Sequence, residues 1–117
     1  MSFRKRYSCD IPFRTFEATI KEAKRRLPSP DLIFWTGDAP AHDIWSYSQN
    51  KTDFYMKNIT DYFVQYFPES IILPSIGNHE GVPINQFPSQ DYWLYETIAE
   101  QWARFKLKPD SYETIKR

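Results

Sequence analysis

The sequence predicts an α/β fold in which helices separate strands that pair in parallel. Two short segments, at residues 31–36 and 71–76, are mostly apolar and have the length and the β-branched and aromatic content of strands. Before, between and after them, apolar residues recur at spacings of three and four, the period of an amphipathic helix. Strands joined through a helix usually pair in parallel with a right-handed crossover. The chain has 117 residues, which suits a single domain.

The first predicted helix precedes the first strand. Its apolar face consists of residues three and four apart: Phe13, Phe16, Ile20, Ala23 and Leu27. Pro28 and Pro30 end it, because proline lacks the N–H that a helix interior needs. The strand at 31–36 follows, and its apolar run predicts that it is buried.

The second helix is predicted over residues 51–67, between the two strands. Its apolar positions again follow helical spacing: Tyr55, Ile59, Tyr62, Phe63 and Tyr66. Pro68 ends the helix and the strand at 71–76 follows it. Pro74 argues against a fully central position for that strand, since proline cannot donate to a sheet ladder.

A third helix is predicted after a proline-containing loop at residues 81–92. Its apolar face contains Leu94, Ile98, Trp102 and Phe105, which we expect to pack onto the sheet. The tail from Lys106 onward is polar and is predicted to be loose. The expected core is therefore strand, helix, strand with flanking helices.

Composition excludes some classes of protein. Lysine plus arginine and aspartate plus glutamate both number 15, so no electrostatic argument points to nucleic acid. No run of about 18 apolar residues is present, so no transmembrane helix is predicted. The start of the chain lacks the apolar segment of a signal peptide. The single cysteine, Cys9, cannot form a disulfide within the chain.

Two N-glycosylation sequons nevertheless favour a secretory origin. They begin at Asn50 and at Asn58, and Asn50 is the more accessible candidate because Asn58 flanks the apolar stripe of the second helix. In a secreted protein, Cys9 would more often pair with a cysteine outside this chain than remain a buried thiol.

Polar side chains follow both predicted strands. Gly37 and Asp38 come directly after the first strand, with His42 and Asp43 close behind, and the run at 77–80 (Gly-Asn-His-Glu) follows the second. Ligands bind beyond the carboxyl ends of the strands in open α/β sheets, so Asp38 and Asn78 are expected at the same edge. The two histidines, His42 and His79, have an ordinary pKa near ~6.5 and can donate a proton near neutral pH.

These two loops resemble signature blocks of the calcineurin-like metallophosphoesterases, the Gly-Asp and Gly-Asn-His-Asp/Glu motifs. The run at 35–45 (Trp-Thr-Gly-Asp-Ala-Pro-Ala-His-Asp-Ile-Trp) is similar to the acid sphingomyelinase branch of that family. The run at 9–17, beginning Cys-Asp-Ile-Pro, and the positions of Pro83, Asn85 and residues 87–88 after the second loop also resemble that branch. The resemblance covers nearly the whole chain and implies part of a larger α/β sandwich.

The resemblance implies roles for individual residues. Asp38 would bridge two zinc ions and Asn78 would bind one of them, while His79 and His42 would stabilise the phosphate or protonate the leaving oxygen. Asp43 and Glu80 would orient the loops without binding metal. The resemblance also implies that Cys9 is a half-cystine whose partner lies N-terminal to this chain.

The family's Asp-x-His block, a later histidine and its Gly-His-x-His block are absent from the sequence. We therefore expect residues 1–117 to form the central part of an incomplete phosphoesterase domain that is inactive alone. The implied complete protein would hydrolyse sphingomyelin to ceramide and phosphocholine, be secreted or lysosomal, and contact a membrane surface.

Two alternatives follow from the same residues. One is a related phosphodiesterase that acts on nucleotides or other soluble phosphodiesters. The other is a non-catalytic binding protein that retains half of a site. Exposed aromatic side chains would fit the second alternative, because a sheet without its neighbouring strands has uncovered apolar faces.

Overall fold

The structure is a computed structural model that describes residues 10–88 and 92–107. Three α-helices and two strands alternate along this part of the chain: α1 (Phe13–Arg26), β1 (Leu32–Trp35), α2 (Gln49–Tyr66), β2 (Ile71–Pro74) and α3 (Trp93–Trp102). Two single 3-10 turns, at Ile44–Ser46 and Asn78–Glu80, lie in the loops that follow the strands. The predicted α/β class and the order of the elements are confirmed.

The two strands pair in parallel, as the intervening helix predicts. Leu32 pairs with Ile71 and Trp35 pairs with Pro74, so both strands end at the same edge of the sheet. Each strand is shorter than predicted: β1 lacks residues 31 and 36 of the predicted strand, and β2 lacks residues 75 and 76. Pro74 occupies the last paired position, and the following Ser75 N–H donates to the Trp35 carbonyl at 2.8 Å.

Only one face of the sheet is covered within the described residues. Trp35 and Ile72 are buried on the face that meets the helices, while Phe34 is 71% exposed on the opposite face. The prediction of a buried first strand is therefore wrong for half of its side chains. Side chains alternate between the faces of a strand, and the uncovered face presents Leu32, Phe34, Ile71 and Leu73.

The core lies between the sheet and the three helices. Large apolar side chains form it: Ile20, Trp35, Met56, Phe63, Phe67, Ile72, Leu94, Ile98, Trp102 and Phe105. Aromatic rings contact one another throughout, and the Trp35 ring lies 5.7 Å from Phe63 and 5.8 Å from Trp102 between centroids. Burial of such side chains contributes roughly 1.5–3 kcal/mol each to stability.

The helices differ from the predictions mainly at their ends. The helix α2 begins earlier than predicted because the Ser48 hydroxyl accepts a hydrogen bond from the Lys51 N–H at 3.2 Å, an N-cap. At the two ends of the predicted apolar face of α1, Phe13 and Leu27 are exposed, so neither belongs to the core. Leu27 lies one residue past the helix end.

The segment after α3 is partly anchored. Phe105 is buried as predicted but lies beyond the end of α3. Lys106 donates to Glu69 at 2.6 Å and Leu107 packs against the core, so the prediction of a loose tail from Lys106 is wrong at its start. Residues 89–91 of the predicted loop and the tail from residue 108 lie outside the described residues, as does Cys9. None of the described helices is long and apolar enough to cross a membrane.

Candidate functional site

The loop after β1 turns sharply at two successive residues with left-handed backbone conformation. Gly37 has φ of 80° and Asp38 has φ of 58°. Glycine fits the first position for two reasons. It adopts a left-handed backbone without strain, and any other residue would place a Cβ 2.3 Å from the backbone nitrogen of Gly77. Aspartate is among the few other residue types that adopt this conformation. The loops after β1 and β2 are therefore in direct backbone contact.

The Asp38 carboxylate lies against the second loop. Its Oδ1 accepts a hydrogen bond from the His79 backbone N–H at 3.0 Å. A Cβ built on Gly77 would lie 2.2 Å from the same oxygen, so only glycine leaves room for the carboxylate. The structure thus brings Asp38 next to the run that contains Asn78 and His79, at the edge where parallel pairing predicts it.

Asn78 is exposed and its side-chain amide is oriented by Asn85. The Asn78 Nδ2 group donates to Asn85 Oδ1 at 2.9 Å, which leaves the amide oxygen as the atom that a cation could contact. Asp38 and Asn78 together offer two oxygen ligands, which suit a divalent metal. Zinc sites usually have four ligands, and residues 10–88 and 92–107 hold no group of three or more His, Cys, Asp or Glu side chains that could bind a metal. The described residues by themselves therefore do not form a complete zinc site.

The buried side chain of Glu80 forms hydrogen bonds with the backbone of both loops. Its side chain is fully buried and its carboxylate accepts hydrogen bonds from three backbone N–H groups, those of Asp38 (3.1 Å), Ala39 (2.6 Å) and Gly77 (2.7 Å). A buried carboxylate needs such partners, because an unpaired buried charge is costly. Glu80 therefore occupies a position from which it fixes both loops.

Asp43 fixes the first loop to α2. Its carboxylate forms an ion pair with Lys51 and accepts a hydrogen bond from the Ser46 hydroxyl at 2.8 Å. The Lys51 ammonium, followed by the Ser46 hydroxyl, lowers the pKa of Asp43 below its ordinary value. Asp43 lies on the side of the loop that faces the helix, so its contacts, like those of Glu80, hold the loop in place.

The two imidazoles are stacked edge to face. The ring centroids of His42 and His79 are 4.2 Å apart and the rings are inclined at 69°. Their environments differ, since the His42 side chain is 75% exposed whereas His79 is only 6% exposed. The structure therefore brings both predicted histidines together beside Asp38, with His42 nearer to solvent.

Asp10 is a site residue that the sequence interpretation missed. Its carboxylate contacts His42 twice, through the backbone N–H at 2.8 Å and through Nδ1 at 2.5 Å. These hydrogen bonds lower the pKa of Asp10, so the carboxylate is ionised and can only accept. The proton of neutral His42 must then be on Nδ1, which leaves Nε2 free. Asp10 was part of the family-like run at 9–17, but nothing local indicates a contact across 32 residues.

Tyr47 is a second residue that the sequence interpretation missed. Its hydroxyl lies 3.0 Å from the Ala41 carbonyl oxygen and 2.7 Å from His79 Nδ1. Burial is the main cause that raises the pKa of Tyr47 to about 12, so the phenol is neutral at physiological pH. The only sequence signal for it is its place in the loop between the first strand and α2.

A cavity of about 530 Å³ opens beside the Asp38 to His42 segment. Its walls are largely apolar and come from the start of α1, the end of β1 and the inner face of α2. Cavities of this size commonly accommodate small organic ligands. The candidate site therefore borders an apolar space.

Comparison with known proteins identifies the class to which this fold and site belong. The chain matches the calcineurin-like phosphoesterase family over residues 9–114, so it belongs to that family. The family is one of hydrolases that use divalent metal ions, and the side-chain oxygens of Asp38 and Asn78 lie at one edge of the sheet.

Individual relatives place the chain more narrowly. It is 36% identical to sphingomyelin phosphodiesterase 2 of Caenorhabditis elegans over 93% of this chain and 19% of that protein. It is 37% identical to sphingomyelinase phosphodiesterase C of Dictyostelium discoideum over 94% of this chain and 25% of that protein. It is 33% identical to human sphingomyelin phosphodiesterase over 80% of this chain and 16% of that protein. The resemblance to the acid sphingomyelinase branch is confirmed, and the chain spans a quarter or less of the length of these relatives.

Proposed function

We propose that this chain is the central part of a metal-dependent phosphodiester hydrolase of the sphingomyelin phosphodiesterase type. Its substrate would be sphingomyelin and its products ceramide and phosphocholine. The observation that carries the proposal is the convergence of Asp38, Asn78, His42 and His79 at one edge of a parallel sheet. The sphingomyelin phosphodiesterases named above support the choice of substrate, because each is similar to 80% or more of this chain.

The residues of this chain suit the chemistry of phosphodiester hydrolysis. In that reaction the oxygen of water bonds to phosphorus, the P–O bond to the alcohol breaks, and the departing oxygen takes up a proton. His42 is exposed and its Nδ1 is held by Asp10, so its Nε2 is the ring nitrogen that faces the reaction. With both ring nitrogens protonated, His42 would supply that proton from Nε2. His79 lies next to it and, in the form that carries a proton on Nε2, would donate to a phosphate oxygen and stabilise its charge.

The metal that this reaction needs would be held in part by this chain. A divalent metal supplies positive charge to the phosphate oxygens and lowers the pKa of bound water. Asp38 and Asn78 would be its ligands here, with Glu80 and Asp43 holding their loops. We propose zinc, two ions for each complete site, with the remaining ligands supplied by parts of the protein outside this chain.

An assay of the longer protein that contains this chain tests the proposal. Sphingomyelin and a nucleotide phosphodiester are compared side by side, and we expect turnover of sphingomyelin. Asp38→Ala should reduce that turnover by more than about 100-fold, since even residues that only support metal ligands cost 10- to 100-fold. Glu100→Gln, at an exposed position on α3, is the matched control and should leave turnover unchanged.

The other outcomes separate the alternatives. Turnover of the nucleotide substrate alone would support the soluble-phosphodiester alternative. Turnover of neither substrate, together with a monodisperse and cooperatively unfolding 117-residue chain, would support a binding protein. We expect the 117-residue chain by itself to hydrolyse no chromogenic phosphodiester. Hydrolysis by that chain which Asp38→Ala abolishes would contradict our proposal.

We also propose that the protein enters the secretory pathway and reaches the cell exterior or the lysosome. Asn50 is exposed at the start of α2, whereas the Asn58 side chain donates to the Phe54 carbonyl at 2.6 Å. Asn50 is therefore the better glycan acceptor. Enzymatic deglycosylation should shift the mobility of the expressed protein, and Asn50→Gln should remove more of that shift than Asn58→Gln. The pairing of Cys9 with a cysteine outside the chain remains a prediction.

A further inference from the structure

The hydroxyl of Tyr47 joins the two loops at His79. Tyr47 follows the short turn in the first loop, and its hydroxyl contacts the carbonyl oxygen of Ala41 in the same loop at 3.0 Å. On its other side, the hydroxyl lies 2.7 Å from Nδ1 of His79 in the second loop. The Tyr47 and His79 ring centroids are 6.1 Å apart, so the two side chains meet mainly through these polar atoms.

Only one arrangement of protons makes both contacts hydrogen bonds. A carbonyl oxygen can only accept, and a phenol has one hydrogen to donate. If Tyr47 donates to Ala41, its oxygen is free to accept from His79, and Nδ1 must then carry a proton. If Tyr47 instead donates to Nδ1, the contact with the Ala41 carbonyl has no hydrogen. Satisfaction of both groups therefore favours a proton on His79 Nδ1.

We propose that Tyr47 is a positioning residue that holds neutral His79 in the tautomer protonated at Nδ1, so that Nε2 is the free ring nitrogen. The catalytic role of Nε2 rests on the proposed function, whereas the tautomer itself does not. With Nδ1 anchored, Nε2 of neutral His79 has a lone pair and can only accept, for example from a water or alcohol O–H at the site. It can donate to a phosphate oxygen only after it has itself taken up a proton. A ring held in the other tautomer would present Nε2 with its proton already in place.

The burial of both partners supports this assignment. His79 is only 6% exposed and Tyr47 is half-buried, so water is a poor substitute for either contact. Buried polar groups are almost always satisfied by protein partners. Tyr47 is also neutral, whereas the corresponding partner of His42 is the ionised Asp10. The structure thus orients both imidazoles through Nδ1, one by a charged acceptor and the other by an uncharged one.

Nuclear magnetic resonance of the ¹⁵N-labelled 117-residue chain tests the tautomer directly. The spectrum is recorded at increasing pH until the ring signals no longer change, so that the neutral form of each ring is observed. The chain has two histidines, and His42→Gln assigns the remaining signals to His79. We expect Nδ1 of His79 to give the protonated pattern and Nε2 the unprotonated pattern. The reverse pattern in the wild-type chain would overturn the proposal, whatever the variants do.

The variant Tyr47→Phe tests whether the hydroxyl is the cause. It should shift His79 to a mixture of tautomers with a measurable population protonated at Nε2. Tyr95→Phe is the matched control, because Tyr95 is a half-buried tyrosine whose ring contacts Tyr92 instead of a histidine. An unchanged His79 pattern in folded Tyr47→Phe would also overturn the proposal. If Tyr47→Phe does not fold, the wild-type spectrum decides.

A kinetic measurement on the longer protein separates this inference from the proposed function. There, Tyr47→Phe should lower kcat about 10- to 100-fold with KM little changed, as loss of a supporting hydrogen bond does. Failure of the longer protein to hydrolyse sphingomyelin would contradict the proposed function but leave the tautomer established by the spectrum. Wild-type kinetics in Tyr47→Phe would show that the hydroxyl has no catalytic consequence and would overturn its positioning role.

Discussion

The carboxylate of Glu80 accepts a hydrogen bond at 2.6 Å from the backbone N–H of Ala39, which lies 41 residues earlier in the chain. The same carboxylate accepts from Asp38 and Gly77, so one buried side chain satisfies backbone groups from both loops. Those loops follow strands that pair in parallel and end together. The geometry of the candidate site therefore depends on one buried carboxylate that lies beneath it.

Replacement of that group gives the first prediction. Glu80→Gln substitutes an NH₂ group for one acceptor oxygen, and this group would face backbone donors in a buried position. We expect the free energy of unfolding to fall by about 2–3 kcal/mol, the cost of lost hydrogen bonds to a charged group. Urea unfolding followed by tryptophan fluorescence measures it. Glu100→Gln, the same change at an exposed position, should stay within about 0.5 kcal/mol of wild type. Equal midpoints for the two variants would contradict this account of Glu80.

The two glycines that bring the loops together give the second prediction. Gly37→Ala should destabilise the chain more than Gly77→Ala. At Gly37 the new Cβ would meet backbone nitrogen at 2.3 Å, and the backbone is left-handed, so no side-chain movement relieves the clash. At Gly77 the two nearest atoms belong to the Asp38 side chain, although the Asp38 backbone nitrogen would also lie at 2.6 Å. Gly77 lacks the left-handed backbone of Gly37, so its substitution adds a clash but no backbone strain.

Thermal or urea unfolding ranks these variants. We expect Gly37→Ala to lose more than about 2 kcal/mol, since backbone strain alone costs about 1–3 kcal/mol. Ser29→Ala, at an exposed position before β1, is the control for insertion of alanine and should behave as wild type. In Gly77→Ala the His79 amide should exchange with solvent faster, because the displaced Asp38 carboxylate no longer accepts from it. The opposite ranking would show that the loops do not meet as described.

The third prediction concerns pH and Asp43. The pKa of Asp43 is lowered in the folded protein by Lys51 and Ser46. A carboxyl group with a lowered folded pKa contributes stability that is present above its unfolded pKa and is lost as pH falls through the folded value. The stability difference between wild type and Asp43→Asn should therefore be constant from about pH 7 to 5 and shrink below about pH 4.

Urea unfolding of both proteins at several pH values measures that difference. Titration of the other carboxylates cancels in the comparison, because both proteins contain them. Asp31→Asn, an exposed position before β1, is the control variant. A wild-type advantage that persists unchanged to about pH 2 would exclude ionised Asp43 as its source.

The fourth prediction concerns the two faces of the sheet. Phe34→Glu, on the uncovered face, should change the free energy of unfolding little and should reduce self-association of the chain, because exposed apolar patches promote association. Ile72→Ala, on the covered face, should cost about 2–5 kcal/mol, as expected when a buried isoleucine is truncated in a packed core.

Size-exclusion chromatography at several protein concentrations, together with urea unfolding, checks both changes. Phe34→Glu should elute later than wild type at high concentration, while Ile72→Ala should unfold at lower urea. Severe destabilisation by Phe34→Glu would mean that this face is covered within the chain itself.

The periodicity of the sequence predicted the helices, the strands and their parallel pairing. From that pairing alone it followed that Asp38 and Asn78 lie at one edge of the sheet. Local spacing was sufficient because each helix and strand buries a face whose period is visible in a short window. The ends of the elements were less well predicted, since Ser48 starts α2 through a hydrogen bond that apolar spacing does not show.

Sequence also indicated the family, because short motifs carry the glycines and oxygen ligands at fixed spacing. Residues that act through distant contacts were not predicted. Asp10 reaches His42 across 32 residues, and Tyr47 reaches His79 across the same separation. No local pattern encodes such pairs, since they form only when α1, the first loop and the second loop fold together.

By itself, the sequence determined which side chains could serve phosphodiester chemistry and at which end of the sheet they lie. The tertiary structure decided how they are held: Glu80 beneath both loops, Asp10 on one imidazole and Tyr47 on the other. It also decided which face of the sheet is covered. The physical reason is the same in each case, because hydrogen-bond partners and burial depend on distances between segments, whereas motif and periodicity record only distances along the chain.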